Sequence, residues 1–266
     1  MLNLERQEEL RARYRAATPG WRPASHVYDE AVRSCITPDA VILDAGCGQA
    51  GIVGRARGGA RAVGIDATFE GYRHAVDLAD LVCGNLEALP FADNSFTLIA
   101  SSWVFEHLER PERAFAEFAR VLVPGGRLVF LTPNAHNIVT LANRLAPARL
   151  QKALVWRLYG RREVFTFRTH YRANTPAALD RLLCAAGFER EALHMVGDPT
   201  YLAFNELGYR LGVLCERLTD RAWLQRFKVH LVGVYRKRQQ TLAEIDGIRA
   251  GVASVTASAE GEPWIP

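Results

Sequence analysis

VILDAGCGQAG, Val41 to Gly51, runs an apolar stretch into an acid and then into Gly46, Gly48 and Gly51, spaced G-x-G-x-x-G. An apolar run closed by glycines reads as a strand turning sharply into a helix. Glycines at such a turn let the backbone come close to a nucleotide-like ligand. A tight turn that binds nothing is the plainer reading, and the spacing alone does not exclude it. Two further features favour a ligand. RAVGID, Arg61 to Asp66, reads as the next strand and ends in an acid. That acid follows Gly46 by about 20 residues, the separation at which a ribose-binding carboxylate is found.

Working outward, strand and helix patterns alternate. Before the loop come an amphipathic helix over Leu2 to Ala17, a breaker cluster TPGWRP, a short helix over His26 to Cys35 and a strand from Ala40 to Asp44. After it come a helix over Ala50 to Arg57, the Arg61–Asp66 strand, a helix over Phe69 to Leu78 and strands at Leu81–Asn85 and Ser95–Ser102. Pro111 to Leu122 carries Phe115, Phe118, Ala119 and Leu122 as one apolar stripe behind a first-turn proline, the mark of a helix. Pro124-Gly125-Gly126 then turns into RLVFLT. Repeated units of this length imply a parallel sheet with helices on both faces.

The alternation breaks after Asn134. Residues 134–172 read as a helical, arginine-rich insertion, and residues 199–224 as a second one. Between them lie a helix over Pro176 to Ala186, stopped by Gly187, and a strand over Phe188 to Val196. Phe227 to Lys237 is a last strand. The organisation expected is a helical segment at 1–40, an α/β domain at 41–237 with the two insertions, and a tail at 238–266 that frays from about Gly247.

Composition sets few limits. The chain has 266 residues, 49% apolar and 23% charged, with a net charge of +4, as an ordinary globular protein has. Arginine outnumbers lysine, but the mild basic balance is weak ground for nucleic acid, and none is expected as a partner. Cys35, Cys47, Cys83, Cys184 and Cys215 are scattered without a C-x-x-C pair, which argues against a disulfide framework or a zinc site. The opening MLNLERQEELRARYR lacks the apolar core of a secretory signal, and no apolar run reaches the roughly 20 residues a membrane span needs. A cytoplasmic protein with no metal is the expectation.

The loop holds either NAD(P) or S-adenosylmethionine, and Asp44 discriminates. A pyrophosphate is anionic and would be repelled by a carboxylate two residues before the first glycine. S-adenosylmethionine carries an α-ammonium and a sulfonium, which a carboxylate complements.

These residues carry a family resemblance. DAGCGQAG resembles motif I of the class I S-adenosylmethionine-dependent methyltransferases, and GIDATFEGYRHA resembles the segment that follows. LVCGNLEALPFADNSFTLIASSWVFEHLERPERAFAEFARVLVPGGRLVFLTPN is similar to the ubiquinone/menaquinone-biosynthesis-like branch, so that the likeness covers Val41 to Asn134. It implies a Rossmann-like, seven-stranded, mostly parallel sheet. The last strand is antiparallel, inserted beside the sixth, and the pair would be Phe188–Val196 and Phe227–Lys237.

The resemblance also implies roles. Asp44, Gly46, Cys47 and Gly48 would surround the methionine moiety, with Cys47 simply a small residue that the turn allows. Asp66, with Ala67 beside it, would grip the ribose hydroxyls, although a strand-end turn role is the alternative. Asn85 and Leu86 would read the adenine edge; the family often has aspartate there, and an amide or the backbone would do the reading here. Ser102 and Trp103 would pass the methionine part, with Trp103 equally readable as a core aromatic. S-adenosylhomocysteine would be the product.

The acceptor side matches no named subgroup. A weakly acidic acceptor needs a general base, and His107, His136 and His170 lie near the expected mouth, with Glu106 and Tyr171 beside them. Glu106-His107 also reads as a scaffold feature orienting the turn before the helix. Arg157, Arg161, Arg162, Arg168 and Arg172 stand among aromatics. They read as a rim for an anionic or glycosylated acceptor, a membrane-surface or nucleic-acid contact, or a solvated face. The expected activity is methyl transfer, on oxygen before nitrogen or carbon, to a small-molecule or glycan- or lipid-linked acceptor. The insertions would serve as a lid, with Tyr14, Trp21 and Tyr28 closing from the other side, or as a homodimer interface. A noncatalytic S-adenosylmethionine-binding protein and an NAD(P)-dependent oxidoreductase are the rival readings.

Overall fold

One sheet of seven strands organises the chain: β1 (Val41–Ala45), β2 (Arg61–Asp66), β3 (Asp80–Cys83), β4 (Phe96–Ser102), β5 (Leu122–Pro133), β6 (Phe188–Val196) and β7 (His230–Lys237), in the order β3-β2-β1-β4-β5-β7-β6. This is a computed structural model that describes residues 4–48, 51–68, 78, 80–145 and 168–239. Leu2, most of the helix read at Phe69–Leu78, Arg157, Arg161, Arg162 and the tail from Gly247 lie outside the described residues. Strands β1 to β5 pair in parallel, and β7 runs antiparallel to both β5 and β6. The reversed strand inserted beside the sixth is therefore present, as is the mixed sheet expected for the Rossmann-like methyltransferase fold.

The sheet is buried on both faces because its strands carry apolar residues at odd and even positions alike. On one face Leu43, Ile65, Ile99 and Phe130 pack with Phe115 and Phe118 of α4 (Pro111–Val121) and Leu179 and Leu183 of α6 (Pro176–Ala185). On the other, Ile42, Leu98, Val129 and Val232 pack with Val27, Tyr28 and Val32 of α2 (Ala24–Cys35) and Ile52 and Val53 of α3 (Ile52–Ala56). Pro111 opens α4, and the Thr175 hydroxyl caps α6 by accepting from the Ala178 amide at 3.2 Å.

Most element ends shift by a residue or two from the sequence reading, and three differences have a structural cause. β5 begins at Leu122, because Leu122 pairs with Phe96 before the register shifts to Leu98 and Arg127; Pro124–Gly126 is an irregularity inside the strand. β7 begins at His230 and not Phe227, since Gln225–Phe227 forms a 3-10 turn. Lys228 then turns inward, its ammonium 3.2 Å from Glu216 and 2.8 Å from Asp220. In the first insertion the described helix is α5 (Ile138–Leu145), and residues 168–174 are not helical.

The second insertion contains a 3-10 turn, Pro199–Leu202, and α7 (Glu206–Thr219). It is clamped by α1 (Leu4–Ala17): Arg11 gives Asp198 two hydrogen bonds, Arg13 gives Glu206 two, and the Trp21 indole donates to the Gly197 carbonyl. Leu10 and Tyr14 form the buried side of α1. Among the described residues no helix is long and apolar enough to cross a membrane.

The Lys228–Glu216 pair is buried at both ends, so removing one partner strands the other charge. Lys228→Ala should lose about 3–5 kcal/mol in urea unfolding, whereas Lys228→Met combined with Glu216→Gln should lose less than half of that.

Candidate active site

The C-terminal ends of β1, β2 and β4 meet at the glycine loop. Gly46 and Gly48 have φ of +76° and +50°, backbone that other residues rarely adopt. A Cβ on Gly46 would sit 2.2 Å from a methyl of Val104, so this position tolerates no side chain. The loop is tied to β2. The Gly46 and Cys47 amides donate to the Ile65 carbonyl at 2.8 and 3.1 Å, and the Gly48 amide donates to Asp66 Oδ2 at 2.9 Å. Cys47 is buried against Gly64, and burial pushes its thiol up to about 12. It is packing, not a nucleophile.

Asp44 is the site's electrostatic feature. It is 3% exposed, and Oδ2 has no hydrogen-bond partner among the described residues. Burial, and then the charge of Asp66, push its carboxyl up to about 7, against a hydrogen bond from the Gly51 backbone. A buried carboxylate left part-satisfied is costly. A cation placed beside it would remove that cost. The donor set thus fits a cationic methionine moiety and would repel a pyrophosphate.

Other expected residues take up varied positions. Asp66 accepts the Gly48 amide on one oxygen and the Thr68 amide on the other, so it serves the turn and the loop together. Ala67 is exposed beside it. Asn85 is exposed, and its Oδ1 already accepts the Glu87 amide at 2.9 Å, which leaves its NH₂ as the outward group; Leu86 packs on the core. Ser102 bonds the buried Tyr28 hydroxyl, which also feels the Asp44 charge. Trp103 is not a core aromatic. It is 43% exposed with φ +60°, a strained backbone for a bulky residue, held by its amide on the Leu131 carbonyl at 2.9 Å.

Of the three candidate histidines, His107 and His170 stand on neighbouring backbone, the His170 amide donating to the Glu106 carbonyl at 2.7 Å. His107 Nδ1 lies 3.1 Å from the Arg168 carbonyl. Glu106 is buried, takes the Thr132 hydroxyl at 3.1 Å, and receives the His170 and Tyr171 amides on its carbonyl. Burial raises its carboxyl to about 7. Those bonds give the Glu106-His107 pair the scaffold geometry. The His136 ring is exposed and lies 6.5 Å from that of Phe227.

Two residues not picked out from the sequence complete the mouth. His230 starts β7 opposite Pro133, so the antiparallel strand delivers it to the C-terminal end of β5. It is 3% exposed, its Nε2 is 2.8 Å from the Tyr201 hydroxyl, and its Nδ1 has no partner among the described residues. The Trp103 ring stands edge-on to it at 5.1 Å. Burial lowers His230 to about 4, so the ring is neutral near pH 7. A histidine opening an apolar run, HLVGV, was the available signal; only the strand's direction gives it meaning.

A family described as a methyltransferase domain matches residues 43–130. Over those residues, and in its sheet order, the chain is similar to the class I S-adenosylmethionine-dependent methyltransferases of the ubiquinone/menaquinone-biosynthesis-like branch. Malonyl-[acyl-carrier protein] O-methyltransferase of Methylococcus capsulatus is 38% identical over 110 residues, covering 38% of this chain and 40% of that protein. Demethylmenaquinone methyltransferase of Symbiobacterium thermophilum is 32% identical over 120 residues, covering 42% and 43%. The chain thus spans less than half the length of these curated relatives. Geranyl diphosphate C-methyltransferase of Streptomyces coelicolor shares the fold, with a TM-score of 0.55 and 14% identity over 88% of this chain and 86% of that one.

Asp44 carries a stability consequence. Its native carboxyl lies near 7 against an ordinary 3.8, so between those values the folded chain holds a proton that the unfolded chain has lost. Stability from this group therefore falls as pH rises from about 4 to 7. Asp44→Asn should be about 2–4 kcal/mol more stable than the parent at pH 8 without ligand, and no more stable at pH 4, by thermal unfolding.

Proposed function

We propose that the protein transfers a methyl group from S-adenosylmethionine to a small-molecule or glycan- or lipid-linked acceptor, on oxygen. The observation that carries this reading is the buried, part-satisfied Asp44 carboxylate beside the Gly46–Gly48 turn. Asp44 holds the cationic end of the cofactor, Asp66 its ribose hydroxyls, and Asn85 with the Leu86 backbone its adenine edge. Ser102 and Trp103 flank the methionine part. When bound, the cofactor supplies an electrophilic methyl on a sulfonium.

What the chain's own residues do is orient the acceptor and handle its proton. Much of the rate in such a displacement comes from alignment. The Tyr201–His230 pair lies beside Trp103 and pairs a hydroxyl with a neutral imidazole, which suits it to contact with an acceptor hydroxyl. A neutral imidazole orients the Tyr201 hydroxyl, which then hydrogen-bonds the acceptor oxygen. His107, His136 and His170 remain candidates for a more distant proton path. The names of the relatives, acting on a carrier-protein-linked acid or on a quinone precursor, support an oxygen or a carbon nucleophile; the neutral Tyr201–His230 pair favours oxygen.

Calorimetry should show S-adenosylmethionine and S-adenosylhomocysteine binding, and no NADH binding. Asp66→Ala should weaken cofactor binding by about 1.5–3 kcal/mol through lost charge-assisted bonds. Affinity should also rise as pH climbs from 6 to 8, since Asp44 must ionise to receive a cation. Tight NADH binding without S-adenosylmethionine binding would overturn the reading. Mass-shift screening of a metabolite extract should find a gain of one methylene in a small or lipid-linked compound. Tyr201→Phe should cut that turnover tenfold or more while leaving cofactor affinity unchanged; unchanged turnover would remove Tyr201 from the acceptor side.

A further inference from the structure

The outer face of α7 is inverted for a globular helix. Leu207, Leu211, Leu214 and Leu218 are 67%, 49%, 52% and 43% exposed, while Tyr209, Gly212 and Glu216 are buried. At 3.6 residues per turn the four leucines fall within about 60° of arc, opposite the buried residues. Exposed aromatics stand at both ends, Phe204 at 47% before the helix and Trp223 at 66% after it. A contiguous apolar stripe of this kind marks a contact surface.

The charges beside the stripe select the occupant. Arg210 and Arg217 line one flank and Arg221 follows the helix end, all exposed. Glu206, on the same side, is engaged by Arg13 at 3.0 Å and by Arg210 at 3.4 Å. Asp220 is turned to Lys228. Arg217 and Arg221 have no ion pair among the described residues. The opposite flank, Gly208 and Cys215, is uncharged. A second copy packed antiparallel would bring the arginine flanks together, and one packed parallel would set them against uncharged residues. Neither supplies a counter-charge beyond Glu206, which Arg13 and Arg210 already hold. An apolar stripe with an arginine flank and terminal aromatics matches the interface of an anionic bilayer: leucines in the acyl boundary, arginines at the headgroups, rings between.

We propose that α7 docks this chain on an anionic lipid surface through Leu207, Leu211, Leu214, Leu218 and Trp223, with Arg217 and Arg221 at the headgroups. α7 follows the 3-10 turn that carries Tyr201, so docking through α7 would hold the bilayer against the segment that supplies that hydroxyl. The docking stands apart from the methyl-transfer reading. Only its consequence, that the acceptor is drawn from the bilayer, rests on that reading.

The test is co-sedimentation of the full chain with phosphatidylcholine vesicles containing about a third phosphatidylglycerol, and with phosphatidylcholine alone. Tryptophan emission is followed in parallel in the parent and in Trp223→Phe, since the chain has five tryptophans. The expected result is binding to the anionic vesicles that weakens with salt, with a blue shift of emission. Leu211→Glu with Leu214→Glu should weaken it at least tenfold, and Arg217→Glu with Arg221→Glu should erase the preference for anionic lipid. These side chains are exposed, so thermal midpoints and cofactor calorimetry should stay as in the parent. Absence of vesicle binding would overturn the docking, as would binding that the leucine pair does not alter. A stable dimer that the leucine pair dissociates would assign the face to a second copy instead. If cofactor binding fails while vesicle binding holds, the methyl-transfer reading falls and the docking remains.

Discussion

A carboxylate buried without its full set of hydrogen bonds governs this molecule. Asp44 sits at the end of a central strand, where the sheet excludes water and the Asp66 charge lies near. The fold bears a cost there that a packed core would avoid. The glycine loop around it has backbone angles that open space toward the same point, and its amides are anchored on β2. Strain in the backbone and an uncompensated charge converge on one place, where a cation resolves the second. Strain and charge converging in this way are an energetic signature that a bound cation would relieve.

The rest of the structure keeps that point fixed and builds a second wall. Both faces of the sheet are packed with aliphatic and aromatic residues, so β1 and β4 cannot shift to relieve Asp44. On the other side of β4, the antiparallel β7 brings His230 to the mouth. The second insertion brings Tyr201 to meet it. Arg11 reaches across from α1 to the buried Asp198, so the N-terminal helix is tied to the turn that carries Tyr201. Arg11 is partly exposed and Asp198 is not, which makes the tie asymmetric.

Much of the cofactor side was legible in sequence because it is local. The VILDAGCGQAG turn, the Asp66 strand end and the α4 helix each depend on neighbours within a few residues, and propensity and spacing report such features. Where a local reading failed, a distant residue intervened. Lys228 was read as strand, but the buried Glu216 draws it away. Pro124–Gly126 was read as the turn before β5, but pairing of Leu122 with Phe96 makes it part of the strand. Trp103 was ambiguous because a single aromatic after a strand gives no sign of which way its backbone turns.

The Tyr201–His230 pair was not legible, for a reason of geometry. His230 and Tyr201 are separated by the whole of α7 and meet only because β7 is inserted between β5 and β6 in the reverse direction. The exposed leucines of α7 carry the same lesson. Their spacing reads as a helix with one apolar face, and sequence periodicity says that such a face exists. Which face is buried was decided by Tyr209, Gly212 and Glu216 packing on the body of the protein, a contact between elements. The sequence by itself determined the strand–turn–helix unit and its acid, because hydrophobic period and glycine angles are properties of adjacent residues. Tertiary structure alone decided the burial of Asp44, the pairing of His230 and the outward turn of the leucines, because burial is a property of what packs around a residue.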